Sequence, residues 1–186
     1  RIAHAFASDL LLSDGSELVA VASRSPSRAD AFAQKYAIDE VYYDYNDLVF
    51  NSRCDIVYIA SPHVFHKEQT LACIRAGKSV LCEKPVGLSA TELDEMVQAA
   101  KEHNVFFMEA MWTRFFPVME QVIATIAEGT IGVVSLVQAN FGFKAKADFT
   151  DRLFDPQLGG GSLLDTGVYV ISLAQMIYNT LPQEIE

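Results

Sequence analysis

The stretch "SVLCEKPVGLSATE", residues 79–92, decides the fold. Its first five residues form an apolar run of strand length that ends in Glu83-Lys84-Pro85. Pro85 fixes its own φ and lacks an amide donor, so strand pairing is expected to end there. Ser89 and Glu92 then have the spacing of a capping box, which marks the start of a helix. A strand, a polar turn and a helix follow one another, as in the repeating unit of a parallel α/β sheet.

The same alternation runs through the first 112 residues. Periodicity and composition predict strands over 17–23, 41–43, 55–61, 79–83 and 105–109. They predict helices over 2–12, 26–36, 45–51, up to Ala76 and over 89–103, with Gly77 just past the end of the fourth. Continuously apolar strands that alternate with helices predict a doubly wound α/β fold, a parallel Rossmann sheet covered on both faces.

After Trp112 the rhythm changes. A helix over about 116–128, ended by Gly129, is followed by a predicted long strand over 131–143. A polar loop over 144–158 then leads to three glycines and to a helix that ends near Tyr178. We therefore predict an incomplete Rossmann domain over 1–112 and the beginning of a second domain over 113–186.

Composition excludes several classes of protein. The chain has 186 residues, 51% of them apolar, with 14 Lys and Arg against 24 Asp and Glu and a net charge of -10. That balance argues against a nucleic-acid partner, and no apolar stretch approaches the length of a membrane span. Three scattered cysteines argue against a disulfide framework. No Cys, His and Asp set has metal-ligand spacing, so we expect no metal site.

In an open parallel sheet, ligands bind beyond the carboxyl ends of the strands. The groups that follow the four longer predicted strands therefore share one edge: Ser23-Arg24, Ser61-Pro62-His63, Glu83-Lys84-Pro85 and 109–112. In a dinucleotide-binding fold, an arginine near the ribose, beyond the carboxyl end of a strand, accommodates a 2′-phosphate. Arg24, with Arg28 one helical turn later, therefore favours NADP over NAD, although a solvated loop gives the same pattern.

Two further features suggest proton chemistry. Lys84, just beyond a buried strand and beside Glu83, can exchange or stabilise a proton; a salt bridge at the strand end is the alternative. Asp165 and Tyr169 are four residues apart on a predicted helix and so share a face. A tyrosine hydroxyl beside a lysine can act as general acid or base. An amphipathic helix with Tyr169 in the core is the alternative there.

Three segments in order carry a resemblance. "CEKPVGLS" at 82–89, "MEAMWTRFFP" at 108–117 and "GGGSLLDTGVY" at 159–169 are similar to motifs of the Gfo/Idh/MocA family of NAD(P)-dependent oxidoreductases. The similarity covers essentially the whole chain. Within the family, the chain resembles the branch of dihydrodiol and NADP-dependent D-xylose dehydrogenases.

The resemblance implies a longer protein. In the family, a first strand and a glycine-rich loop precede the residues equivalent to Arg1 and Ile2, whose amides would cap the cofactor pyrophosphate. The family's second domain is of the α+β class, with a large, mostly antiparallel sheet through which subunits commonly pair. We therefore expect a cytoplasmic homodimer or higher homo-oligomer that binds a small molecule and no membrane.

The resemblance also implies roles for single residues. Lys84 corresponds to the family lysine that contacts nicotinamide ribose and substrate, Tyr169 to the proton donor or acceptor, and Asp165 to the acid that supports them. The implied cofactor contacts are Arg1, Ile2, Ser23, Arg24, Arg28, Ser61, Pro62, His63, His66, Glu83, Lys84, Trp112 and Arg114. His63 departs from the asparagine typical of the family at that position.

These expectations combine into a function. We predict an NADP-dependent oxidoreductase that transfers a hydride between the nicotinamide and a carbinol of a sugar or vicinal diol. Tyr169 would take the hydroxyl proton, and Lys84 would stabilise the phenolate. A dinucleotide-binding sensor without catalysis is the alternative, and an enzyme that keeps its cofactor permanently bound is a third possibility.

Overall fold

A computed structural model describes residues 2–146, 148 and 151–185. The chain divides into two compact units, and each is described by itself. The first contains the residues up to Ser61 together with Phe65–Glu109. The second contains Pro62–Val64 and the residues from Ala110 onward.

The first unit alternates strands with helices, as the sequence predicts. Its strands are β1 (Ala20–Ala22), β2 (Glu40–Tyr42), β3 (Ile56–Ile59), β4 (Ser79–Glu83) and β5 (Phe107–Ala110). Its helices are α1 (Ile2–Leu10), α2 (Pro26–Tyr36), α3 (Tyr45–Asn51), α4 (His66–Arg75) and α5 (Ala90–His103). β4 has the predicted bounds and β2 is shifted by one residue, whereas β1, β3 and β5 are shorter than the apolar runs that predicted them.

The strands pair in two ladders rather than in one continuous sheet. β1 pairs in parallel with β2, and β3 pairs in parallel with β4 in a sheet of order β3-β4-β5. No strand among the described residues pairs with both β1 and β3. The parallel direction and the intervening helices confirm the α/β class. In the three-stranded ladder, β4 lies in the middle, so its carboxyl end is flanked on both sides.

β4 contributes one completely buried face to the core of the first unit. Val80 and Cys82 are completely buried, and they pack with Ile74 of α4 and Met96 of α5. Burying such side chains removes about 25 cal/mol of unfavourable hydration per Å² of apolar surface. This packing fixes the position of β4 against α4 and α5, and with it the position of the carboxyl end of the strand.

Local signals end and begin the helices around this core. Gly77 has a φ of 77°, the left-handed conformation expected just past the end of α4. The Ser89 side chain accepts a hydrogen bond from the Glu92 amide at 3.2 Å, which confirms the predicted N-cap of α5. The Glu92 carboxylate, however, accepts from the Leu88 amide at 2.7 Å, one residue earlier than in a standard capping box.

The second unit is helical over much of its length. Its helices are α6 (Pro117–Ala127) and α7 (Val168–Tyr178), with 3₁₀ turns at Trp112–Phe115 and Pro156–Leu158. A π-helical turn, Leu163–Gly167, leads directly into α7. No helix of the described residues combines the length and the apolarity that crossing a bilayer requires.

The predicted strand over 131–143 is wrong for the described chain. Residues 133–146 carry no regular secondary structure, and Val133 and Leu136 are 96% and 70% exposed. Apolar β-branched residues favour extended backbone, but a strand exists only where a second strand completes its hydrogen bonds. No such partner occurs among the described residues of this unit.

Candidate functional site

The candidate site in the first unit is the turn that follows β4. Glu83 is only 8% exposed, and its carboxylate accepts a hydrogen bond from the Tyr58 hydroxyl and another from the Lys84 amide at 3.2 Å. Tyr58 lies on β3 and stacks on Phe6 of α1, with 3.7 Å between ring centroids. Glu83 is therefore oriented by the neighbouring strand, and Lys84 follows it directly at the rim of the sheet.

The residues after Lys84 are held equally closely. The Lys84–Pro85 peptide bond is cis. The Pro85 carbonyl oxygen lies 2.8 Å from His66 Nδ1, and the Val86 amide donates to Glu109 Oε1 at 2.9 Å. His66 is completely buried at the first position of α4, and Glu109 lies on β5. The turn that carries Lys84 is thus tied to elements on both sides of β4.

The loop after β3 belongs to the same edge. The Ser61 hydroxyl donates to Gln69 Oε1 at 2.7 Å, and the Ser61 carbonyl oxygen lies 2.9 Å from His66 Nε2. The predicted cofactor contact at His66 therefore has both ring nitrogens against backbone carbonyls. His63 lies in the 3₁₀ turn His63–Phe65 and is 7% exposed. Their predicted cofactor roles stay predictions.

Arg24 follows β1 and is exposed. Its guanidinium lies over the ring of Phe65, 4.9 Å from the centroid. Ser23 Oγ accepts from the Ser25 amide at 3.1 Å, which shapes the turn into α2. Ser25 is the N-cap residue of α2, but its side chain makes no capping hydrogen bond. The segment from Ser23 to Arg28, which includes the first turn of α2, carries two arginines and no acid, a donor set that could hold a phosphate on the ribose.

The second unit brings together several other predicted residues. Trp112 Nε1 donates to the Tyr169 hydroxyl oxygen at 2.9 Å, and the rings of Phe141 and Tyr169 lie 4.6 Å apart. The indole N–H can donate to this oxygen whether or not the oxygen carries its proton. The Tyr169 hydroxyl therefore has a fixed direction on the first turn of α7, as a proton donor or acceptor requires.

Two arginines in the second unit are also engaged. Arg114 donates to Ser172 Oγ at 2.8 Å and to Gln175 Oε1 at 2.9 Å, so its guanidinium is fixed to α7. Asp165, 7% exposed, pairs with Arg152 at 3.1 Å. Sequence reasoning missed Arg152, because an arginine in a polar loop carries no signal of its partner.

The π-helical turn changes the geometry expected for Asp165 and Tyr169. The prediction that they share a helix face assumes a regular α-helix, whereas Asp165 lies in the π turn and Tyr169 in α7. Packing requires a glycine at position 160, just before this turn. A Cβ on Gly160 would lie 2.7 Å from the Asp155 carbonyl oxygen, closer than side chains are found to backbone.

Three further predicted cofactor contacts lie in α1, in α2 and in the loop after β3. Ile2 is the first residue of α1 and Arg28 is an exposed residue of α2, while Pro62 precedes the 3₁₀ turn at His63–Phe65. Arg1 lies outside the described residues.

No group of three or more potential metal ligands occurs in the described part of the chain. Burial raises the pKa of the Cys82 thiol, beside Glu83, to about 12, so this cysteine does not serve as a thiolate nucleophile.

The first unit is a parallel α/β unit, the class of fold that binds dinucleotides beyond the carboxyl ends of its strands. Residues 1–111 match the oxidoreductase family with an NAD-binding Rossmann fold, and residues 119–186 match the GFO/IDH/MocA C-terminal domain. The chain therefore belongs to the Gfo/Idh/MocA oxidoreductase family, as its motifs indicate.

Curated relatives include trans-1,2-dihydrobenzene-1,2-diol dehydrogenases. The mouse (Mus musculus) protein is 42% identical over 168 residues, 90% of this chain and 50% of its own length. The pig (Sus scrofa) protein is 44% identical over 87% of this chain and 48% of its own length. The chain thus spans about half the length of the curated relatives it matches, and its similarity confirms the predicted branch.

Solved structures agree with the fold. A 3-ketoreductase from Actinomadura kijaniata, in complex with NADP and TDP-benzene, is 31% identical with a TM-score of 0.85, over 92% of this chain and 52% of its own. An aldose-aldose oxidoreductase from Caulobacter crescentus is 26% identical with a TM-score of 0.83, over 93% of this chain and 53% of its own.

Proposed function

We propose that the protein to which this chain belongs is an NADP-dependent dehydrogenase acting on a carbinol of a sugar or vicinal diol. The observation that carries the proposal is the Lys84 turn, held at the carboxyl end of β4 in a chain of an oxidoreductase family. The curated relatives are named for a diol substrate, and one solved relative is described with NADP. Residues 1–112 would bind the dinucleotide, and residues 113–186 would begin the substrate domain.

The residues present fit NADP. Arg24 and Arg28 would hold the 2′-phosphate, and the amide groups at the start of α1, including Ile2, would face the pyrophosphate. Ser61 would border the same edge of the sheet, and Pro62 and His63 follow it in the chain. The nicotinamide, when bound, supplies the acceptor or donor of the hydride.

The chain's own residues would manage the proton. When the carbinol carbon is oxidised, its hydroxyl must release a proton, and Tyr169 would receive it at its phenolic oxygen, where Trp112 Nε1 donates. Lys84 would bind the substrate and ribose oxygens and compensate negative charge. Asp165 and Arg114 would fix the surrounding helix through their own partners. Proton transfer of this kind accounts for about 10²–10⁴-fold in rate.

The test uses the full-length protein with NADP⁺ and with NAD⁺. Reduced nicotinamide is followed by absorbance against a panel of aldoses, inositols and trans-dihydrodiols. We expect turnover with NADP⁺ on one of these classes, and a loss of about 10²–10⁴-fold in kcat in Lys84→Met and Tyr169→Phe. Lys101→Met and Tyr178→Phe, exposed changes on α5 and at the far end of α7, serve as matched controls.

Two results would count against the proposed function. Tight dinucleotide binding without turnover on any substrate would favour a sensor over an enzyme. Equal kcat in the Lys84→Met variant and the wild type would refute the role of Lys84. Light scattering of the same sample tests the predicted self-association.

A further inference from the structure

We propose that His66 and Glu109 are positioning residues that together fix the peptide group after Pro85, and thereby hold Lys84 in place for hydride transfer. The inference rests on the proposed function. Its basis is that the two side chains bind the two polar atoms of one peptide group. His66 Nδ1 lies 2.8 Å from the Pro85 carbonyl oxygen, and Glu109 Oε1 accepts from the Val86 amide at 2.9 Å.

We call His66 and Glu109, together with the peptide group between Pro85 and Val86 that they bind, the clamp. His66 forms its first half. It is completely buried, and its other nitrogen, Nε2, lies 2.9 Å from the Ser61 carbonyl oxygen. Each ring nitrogen therefore faces a backbone carbonyl oxygen, which accepts a hydrogen bond from a nitrogen that carries hydrogen. The ring therefore joins the chain that leaves β3 to the chain that leaves β4.

Glu109 makes the second half from the opposite side. The sheet order is β3-β4-β5, so His66 comes from the helix after one neighbour of β4 and Glu109 comes from the other neighbour. A carboxylate that accepts from a backbone amide forms a charge-assisted hydrogen bond, which is stronger than a neutral one. The peptide group is thus held at both ends, by elements that the core already fixes.

The clamp limits the movement of Lys84 because few torsions separate the two. Only Pro85 stands between Lys84 and the clamped peptide, and its ring locks φ. On the other side, Glu83 is held by the Tyr58 hydroxyl. The backbone of Lys84 is therefore held on one side by Glu83 and on the other by the peptide group after Pro85. In catalysis by positioning, a misplacement of about 1 Å can cost about 10²-fold in rate.

The test compares variants of Glu109 in the full-length protein. Glu109→Asp keeps the charge but shortens the side chain by one methylene, and Glu109→Ala removes the acceptor. We expect both to lower kcat by about 10- to 100-fold, while the Kd for NADP⁺ stays within about threefold of wild type. Glu109→Gln retains an oxygen that can accept from the Val86 amide, and we expect it to recover most of the lost kcat.

His66 is tested on the same terms. His66→Gln places a single donor nitrogen where the imidazole has two nitrogens that face two carbonyl oxygens, and we expect it to lower kcat. Thr70→Val is the matched control, because Thr70 is equally buried on the same helix and valine has nearly its shape. If Thr70→Val loses as much kcat as His66→Gln, general disturbance of α4 explains the effect and the clamp is refuted.

A second readout separates the clamp from the proposed function. Hydrogen exchange of the Val86 amide is expected to be faster in Glu109→Asp than in wild type, with the amides of α5 unchanged. If the wild-type protein turns over no substrate, the proposed function fails, and this measurement still decides the clamp. Unchanged exchange at Val86, or unchanged kcat in Glu109→Asp and Glu109→Ala of an active enzyme, would overturn the proposal.

Discussion

Replacement of Phe65 is expected to weaken NADP⁺ binding and to leave NAD⁺ binding unchanged. The Arg24 guanidinium lies 4.9 Å from the centre of the Phe65 ring, within the range of a cation–π contact. At an exposed site such a contact is worth about 0.5–1 kcal/mol, which corresponds to about two- to fivefold in Kd. Phe65→Leu keeps an apolar side chain but removes the π face, so we expect it to raise the Kd for NADP⁺ by that factor.

Removing the arginine itself should have a larger effect. Hydrogen bonds to charged groups contribute about 1.5–3 kcal/mol, so Arg24→Ser is expected to raise the Kd for NADP⁺ by about 10- to 150-fold. NAD⁺ lacks the 2′-phosphate, and its Kd should change by less than about twofold on the same affinity scale. Titration calorimetry of the full-length protein with each dinucleotide measures both constants.

Phe65→Tyr is the control for this prediction, because tyrosine keeps an aromatic face at the same place. It should bind NADP⁺ as the wild type does. The reasoning is refuted if Phe65→Leu and Phe65→Tyr bind NADP⁺ equally well, or if Phe65→Leu weakens both dinucleotides to the same extent. The second result would mean that Phe65 supports the fold of this edge rather than the direction of Arg24.

Three further predictions concern the first unit. Burial raises the pKa of Cys73 and Cys82 to about 12 each, so at pH 8 both stay protonated, and a thiol reagent should label Cys54 in the native protein but Cys73 and Cys82 only after unfolding. Ser89→Ala should lower the free energy of unfolding by about 1 kcal/mol in urea, whereas Ser25→Ala, which removes no capping bond, should cost much less. Met96→Ala should cost about 2–5 kcal/mol in the same assay, since Met96 is completely buried, and a loss below that range would mean the core closes around the gap.

The sequence predicted the first unit well because its signals are local. Pro85 ended β4 and the Ser89 side chain caps α5, as the motif indicated. Gly77 adopts the left-handed conformation that the end of α4 requires. Each of these features depends on residues a few positions apart, so the pattern contains all the information it needs.

The contacts that define the candidate site are of another kind. Glu109 and Val86 are 23 residues apart, and His66 and Pro85 are 19 apart. Nothing in the spacing of a glutamate or a buried histidine indicates which peptide it will hold. The predicted strand over 131–143 is wrong for a related reason. β-propensity describes the backbone preference of a single residue, whereas a strand also needs a second strand to pair with.

The π-helical turn at Leu163–Gly167 has a consequence for how this region can change through insertion and deletion. Such a turn holds one residue more than a regular helix would need. Removing one residue between Asp165 and Tyr169 would leave three helical steps of about 100° each where four steps now separate them, and so would change the angle between the two side chains around the axis. Point substitutions leave that angle alone. The number of residues between the glycines and the tyrosine is therefore as much a determinant of the site as their identity, and a single-codon deletion should be worse than most exchanges of side chain.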